Sequence, residues 1–253
     1  MPQTTLNGIP VLWEEPADGA ARRLVIWVPG YTADKAAMRP YLADLAAAGY
    51  LALSLDPVDH GERSRYDQAD SDDLPPGNFH DQATGKRFRH FWSILANTAA
   101  DIPAVIDWAQ RELSARGEVG IGGISMGGSI ALVAAGLDRR IAAVATGLAE
   151  GDWLRPGSSI PLSAPSAAIQ ACYDRSDPLT NPDRYAHRPA LLLQCGADDE
   201  MNPPGGAERF AQALAPAYAG CPERLELRLE ARVGHEFTPA MWRRALGWFA
   251  TFL

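Results

Sequence analysis

The chain has 253 residues, room for one large domain or two small ones, and folding could bury about three quarters of its unfolded surface. Its hydrophobic share of 47% and charged share of 21% exclude a disordered, collagen-like or coiled-coil protein. A formal net charge of −8, with no basic cluster among the 23 Lys and Arg, argues against nucleic acid and anionic membranes as partners and points to a neutral or small molecule.

In chain order, residues 9–13 read as an edge strand, followed by an apolar strand at 24–28 and an Ala- and Leu-rich helix at 35–48 that stops at Gly49. A strand at 51–55 precedes an irregular stretch, 56–89, rich in Asp, Pro, Gly and His. Residues 91–113 carry apolar side chains at helical spacing, and Pro103 should kink that helix or divide it in two. Strand 119–124, helix 125–137 and strand 141–146 follow. A second irregular, proline-rich stretch, 150–188, is placed to cap a pocket. Strand 190–195, helix 206–214, strand 225–233 and helix 239–252 complete the chain. Most strand runs are continuously apolar, as expected for a mainly parallel sheet covered on both faces by helices. The reading is one α/β domain over 1–253 with a small cap insertion at about 150–188.

Residues 1–16 lack a basic n-region and an apolar h-region, and no later stretch approaches the roughly 20 apolar residues of a membrane span, which predicts a cytoplasmic protein. Cys172, Cys195 and Cys221 lack metal or redox spacing, and Cys195, ending a strand, reads as core.

Gly123-Ile124-Ser125-Met126-Gly127 fits the G-x-S-x-G elbow, a sharp strand-to-helix turn that thrusts a serine hydroxyl out of the backbone. The strand leading in and the helix leading out supply the context that the motif requires. Ser125 needs a base and an orienting anion downstream. His235 follows the last strand, in a loop beyond a strand's carboxyl end where catalytic groups collect. His187 precedes a strand beside Arg188 and Pro189 and reads as a solvated residue. The acid should follow strand 190–195, where Asp198, Asp199 and Glu200 compete.

The elbow with its flanking Gly122 and Gly128, the loop Asp59-His60-Gly61-Glu62-Arg63, the segment Phe91-Trp92-Ser93-Ile94-Leu95 and the run Arg188-Pro189-Ala190-Leu191-Leu192-Leu193 together resemble the α/β-hydrolase superfamily. Within it they are similar to small bacterial carboxylesterases near the dienelactone-hydrolase and prolyl-oligopeptidase branch. The resemblance spans roughly residue 24 to the C-terminus. It implies that a Gly-x-x-Asp-x-x-x-Pro pattern carries the triad acid, matched by Gly196, Asp199 and Pro203. It also implies an oxyanion loop reading His-Gly-aromatic, where this chain has Pro29-Gly30-Tyr31. The hole is built from backbone N–H groups, so Tyr31 and Met126 are the expected donors, while the bracing of a loop with Pro in place of His is open.

Asp59, His60, His80 and His90 show no metal-ligand spacing, and no metal or cofactor is expected. Trp108, Trp242 and Trp248 read as core, and Trp92 and Trp153 lie near loops that could line an acyl pocket. The expected activity is hydrolysis of a small-molecule carboxylic ester, short in its acyl chain, through an acyl-enzyme on Ser125, His235 and Asp199. An aminopeptidase or acyltransferase could use the same triad, although no propeller or large gate is visible to favour a peptidase. A non-catalytic ligand-binding homologue is the rival from another class.

Overall fold

A computed structural model describes residues 1–17, 23–64, 90–160 and 166–253. Eight strands among these residues form a single sheet: β1 (Gln3–Leu6), β2 (Ile9–Glu14), β3 (Leu24–Val28), β4 (Leu51–Leu55), β5 (Val119–Ile124), β6 (Ile141–Gly147), β7 (Ala190–Gly196) and β8 (Leu225–Glu230). Their order is β1-β2-β4-β3-β5-β6-β7-β8, antiparallel for β1/β2 and β2/β4 and parallel from β4 onward. The α/β-hydrolase type of sheet is thus present, mainly parallel as the continuous apolar runs predict.

Six α-helices among the described residues accompany it: α1 (Arg39–Ala47), α2 (Phe91–Glu112), α3 (Met126–Leu137), α4 (Ala167–Ser176), α5 (Gly205–Leu214) and α6 (Pro239–Phe252). Alternation along β3 divides the core. Leu24, Ile26 and Val28 face a layer with α2, α3 and Phe210 of α5, whereas Val25 and Trp27 face α1 and α6. On the second face Trp27 packs edge-on against Trp242 of α6, ring centroids 4.9 Å apart, so the sheet is covered on both sides.

Several expected boundaries move. Residues 9–13 are not at the edge: β2 lies between β1 and β4. Asn7 and Gly8, with φ of 47° and 82°, close a two-residue hairpin that adds β1 outside it. The helix expected at 35–48 begins as a 3-10 turn, Lys35–Met38, capped by Asp34, and becomes α-helical only at Arg39, with Pro40 in the first turn where its missing N–H costs nothing. Pro103 does not divide α2, which runs unbroken between flanking residues Ala99, Ile102, Val105 and Ile106, all buried. Tertiary burial of that face outweighs the one hydrogen bond that proline removes. β8 ends at Glu230 rather than 233, because Arg232 turns left-handed with φ of 61°. The stretch 150–188 holds a real helix, α4, with Ser166 as its N-cap. Of the stretch 56–89, residues 65–89, and His80 with them, lie outside the described residues.

Candidate active site

The elbow is built by close approach. β5 pairs with β3 so that Gly123 faces Val28, and a Cβ on Gly123 would stand 2.5 Å from the Val28 carbonyl oxygen. A Cβ on Gly127 would collide with that same carbonyl. Only glycine at both positions lets the turn fold back on β3. Ser125 itself takes φ of 54° and ψ of −115°, and its N–H donates to the Gly147 carbonyl on β6 at 2.7 Å. A non-glycine residue in this strained conformation is a mark of functional sites, and here it lifts the hydroxyl off the sheet end.

The partners arrive from the next two strand ends. A Cβ on Gly196 would strike the carbonyls of Val233 and Gly234, and the Asp198 N–H donates to the Val233 carbonyl at 2.9 Å, so the 197–203 and 231–238 loops lie in contact. His235 Nε2 lies 3.0 Å from Ser125 Oγ, and its Nδ1 lies 2.8 Å from Asp199 Oδ2. Asp199 Oδ1 accepts from the backbone N–H groups of Met201 and Asn202 at 3.0 and 2.9 Å, and the Asn202 side chain donates to the Leu148 carbonyl. Asp199 is buried at 3% exposure, while Asp198 and Glu200 are exposed. The structure therefore brings Ser125, His235 and Asp199 together and leaves Asp198 and Glu200 facing solvent.

Tyr31 and Met126 flank the serine. Met126 is the first residue of α3, where an N–H has no partner within the helix. Gly30 lies so close to the elbow that a Cβ there would be 3.9 Å from Ser125 Cβ, which sets Tyr31 beside Ser125. The open question of what braces this loop has an answer in residues to which the sequence assigned no bracing role. The Tyr31 ring packs edge-on against His60 and Phe91, at 5.4 and 5.9 Å between centroids. Buried Asp56 accepts from the Lys35 backbone N–H at 2.9 Å, from Lys35 Nζ at 2.9 Å and from the Glu62 N–H at 3.0 Å. Burial opposes the Lys35 charge, yet hydrogen bonds to Glu62 and Asp56 outweigh it and hold the ammonium pKa above its ordinary value. His60 is likewise held, its ring bonding the Val58 carbonyl at 2.9 Å.

Trp92 and Trp153 are buried rather than open to a pocket. Trp92 Nε1 donates to the Trp153 carbonyl at 3.2 Å, and its ring stands 4.7 Å from Tyr173 of α4, so the pair ties the 150–188 stretch to α2. The stretch reaches the acid loop through the Ser158 hydroxyl, which donates to the Met201 carbonyl at 2.6 Å, and the Ser159 N–H, which donates to the Glu200 carbonyl at 2.7 Å. His187 stands at the amino end of β7, across the sheet from the serine, and is half-buried rather than solvated; burial lowers its pKa. His90 is the N-cap position of α2. Burial pushes the Cys195 thiol up to about 12, as suits a core residue. No group of three metal-ligating side chains occurs among the described residues, and no described helix is long and apolar enough to cross a membrane.

One buried carboxyl stands apart. Glu150, three residues beyond β6, is 1% exposed, and neither of its oxygens has a hydrogen-bond partner among the described residues. Burial pushes its pKa up to about 8, against the pull of Arg155. Between the ordinary value of 4.5 and about 8 the folded state keeps a proton that the unfolded chain has lost, so stability falls as pH rises through that window. Glu150→Gln removes the titration. Its Tm, read by differential scanning fluorimetry, is expected to match wild type near pH 4.5, to exceed it increasingly up to pH 8, and to hold that lead above. A constant difference across the range would contradict the assignment.

The sequence profile of the prolyl oligopeptidase family matches residues 82–252. The Bacillus subtilis protein named "Putative esterase YitV" is 25% identical, over 98% of this chain and 97% of its own length. Among solved structures, TT1662 from Thermus thermophilus superposes with a TM-score of 0.75 at 24% identity, covering 99% of this chain and 96% of that one. The Pyrococcus furiosus esterase Pf2001 superposes with a TM-score of 0.63 at 16% identity, covering 99% and 91%. With the elbow at the end of β5 and the family profile spanning more than half of the sequence, the chain belongs to the prolyl oligopeptidase family and is a serine hydrolase.

Proposed function

We propose that this hydrolase cleaves carboxylic esters of small molecules through an acyl-enzyme on Ser125. The observation that carries the reading is the unbroken relay of 3.0 Å from Ser125 Oγ to His235 Nε2 and 2.8 Å from His235 Nδ1 to Asp199 Oδ2. His235 takes the serine proton as Oγ attacks the ester carbonyl, and the Asp199 carboxylate stabilises the imidazolium that forms. The backbone amides of Tyr31 and Met126 hold the oxyanion, His235 returns the proton to the leaving alcohol, and water then releases the acid by the same steps reversed. No step calls for a cofactor.

The stretch 150–188 acts as a cap on one domain. Trp153 and Asp177 close it on itself through a 2.8 Å bond, and Arg209 of α5 grips Asp152 at 2.8 Å. We infer that a cap so tied down favours short acyl chains over long ones. On p-nitrophenyl esters of graded length, kcat/KM is expected to be highest for acetyl to hexanoyl and at least about tenfold lower for palmitoyl below its micelle threshold. Equal or better turnover of palmitoyl esters contradicts the closed cap.

Membership of the prolyl oligopeptidase family favours a second reading, peptide-bond cleavage on the same triad. Activity on aminoacyl p-nitroanilides exceeding that on matched p-nitrophenyl esters would select it.

A further inference from the structure

We propose that the Arg155 guanidinium recognises a carboxylate carried by the substrate, so that the enzyme prefers anionic esters. The inference rests on the ester-hydrolase reading and narrows its substrate class.

Arg155 is held unusually. Its backbone is left-handed, with φ of 49°, inside a turn closed by its own N–H on the Asp152 carbonyl at 3.2 Å and by the Ser158 N–H on its carbonyl at 3.0 Å. Such a conformation is rare for a residue with a Cβ and tends to persist where function requires it. Here it turns a charged side chain inward. Arg155 is only 6% exposed, yet no described residue forms a hydrogen bond or ion pair with its guanidinium, and Nε is both buried and unpartnered. Arginines buried to this degree are ordinarily paired.

What surrounds the cation does not neutralise it. The Phe91 ring lies 4.9 Å below it, a partial compensation. Among the described residues, Glu150 and Asp199 are the carboxyl groups that bear on its charge. Neither Glu150 oxygen forms a hydrogen bond with the guanidinium, and Asp199 is committed to His235 and two backbone amides. Among the described residues, no negative charge is paired with it. Its place adjoins the nucleophile: Phe91 packs on Tyr31, Tyr31 follows Gly30 against the Ser125 elbow, and the turn bearing Arg155 is pinned to the acid loop at Met201. The planar guanidinium fork matches a carboxylate through two parallel hydrogen bonds, and one cation asks for a monoanion.

The test compares two pairs of esters that differ in one charge. Monomethyl glutarate against methyl pentanoate places the carboxylate on the acyl side, and 4-(butyryloxy)benzoate against 4-methylphenyl butyrate places it on the alcohol side. Wild-type kcat/KM is expected to favour the anionic member of one pair by at least about tenfold, and the pair concerned identifies the side. Arg155→Met is expected to abolish that preference while changing kcat/KM on the neutral ester less than about threefold, with a Tm no lower than wild type, because an uncompensated buried charge has been replaced by an apolar chain. Arg155→Lys should keep part of the preference. A merely structural arginine would instead lower Tm and depress both members of a pair alike. Wild-type hydrolysis of the neutral esters with no anionic preference in either pair overturns this inference alone, whatever the variants do. Failure of wild type on every ester, p-nitrophenyl butyrate included, overturns the ester-hydrolase reading and this inference with it.

Discussion

Ser125→Ala is expected to lower kcat on p-nitrophenyl butyrate by about 10⁶, His235→Ala by a comparable factor, and the double variant by no more than either alone, since the members of a nucleophile–base pair act as a unit. The fold should be untouched. The Ser125 backbone is held by its N–H on the Gly147 carbonyl at 2.7 Å and by glycines 123 and 127 on β3, none of which involves the hydroxyl. Oγ bonds His235, so alanine removes the attacking atom and little else. Residual turnover above water should persist in both variants, because the proposed oxyanion donors at Tyr31 and Met126 are backbone groups that neither substitution removes. Burst kinetics with substrate in excess over enzyme complete the check: wild type should release p-nitrophenol ahead of the acid, and Ser125→Ala should show no burst. Near-normal turnover in a variant with wild-type circular dichroism and Tm would sink the mechanism.

The parts of this site legible in the sequence are those in which chemistry and strand order coincide. Gly123, Ser125 and Gly127 announce a turn that only glycines can make, and His235 is marked by its place after the last strand. Asp199 required more, since Asp198 and Glu200 sit beside it with the same chemistry; what separates them is burial, 3% exposure against two solvent-facing neighbours, a property of the folded loop. Other parts were written in local code but passed over: Asn7-Gly8 is a strong hairpin signal, and it accounts for β1. The bracing of the Tyr31 loop by Asp56, Lys35 and Glu62 had no such code, because Lys35 stands 21 residues before Asp56 and only their tertiary meeting gives them a role. The same holds for Glu150 and Arg155. Glu150 follows a parallel strand's carboxyl end, a position that flags function, but nothing in the pattern of residues 150–160 says that two charged side chains there would be turned inward.

Asp199→Asn is expected to cost roughly 10⁴ in kcat, by analogy with serine proteases, while Asp198→Asn stays within about threefold of wild type. The bonds around residue 199 give the reason for so large an effect from an isosteric change. Oδ1 accepts two backbone N–H groups, from Met201 and Asn202, so an asparagine must keep its carbonyl oxygen on that side to avoid opposing donors. Its NH₂ is then forced toward His235 Nδ1, the contact now made at 2.8 Å by Oδ2. A donor facing Nδ1 makes that nitrogen the acceptor and leaves the proton on Nε2, the atom that must receive the serine proton. The amide therefore removes the charge that stabilises the imidazolium and also fixes the wrong tautomer. Raising the pH should restore part of the rate, since hydroxide can take the serine proton directly. Asp198 has no comparable hold: it is exposed, and it contributes its backbone N–H to Val233, which asparagine retains. If Asp198 swings in as a substitute anion, the Asp198→Asn/Asp199→Asn double variant will fall well below Asp199→Asn alone; if it does not, the two losses will simply add. A crippled Asp198→Asn beside a near-normal Asp199→Asn would move the orienting acid by one residue and refute the proposed relay.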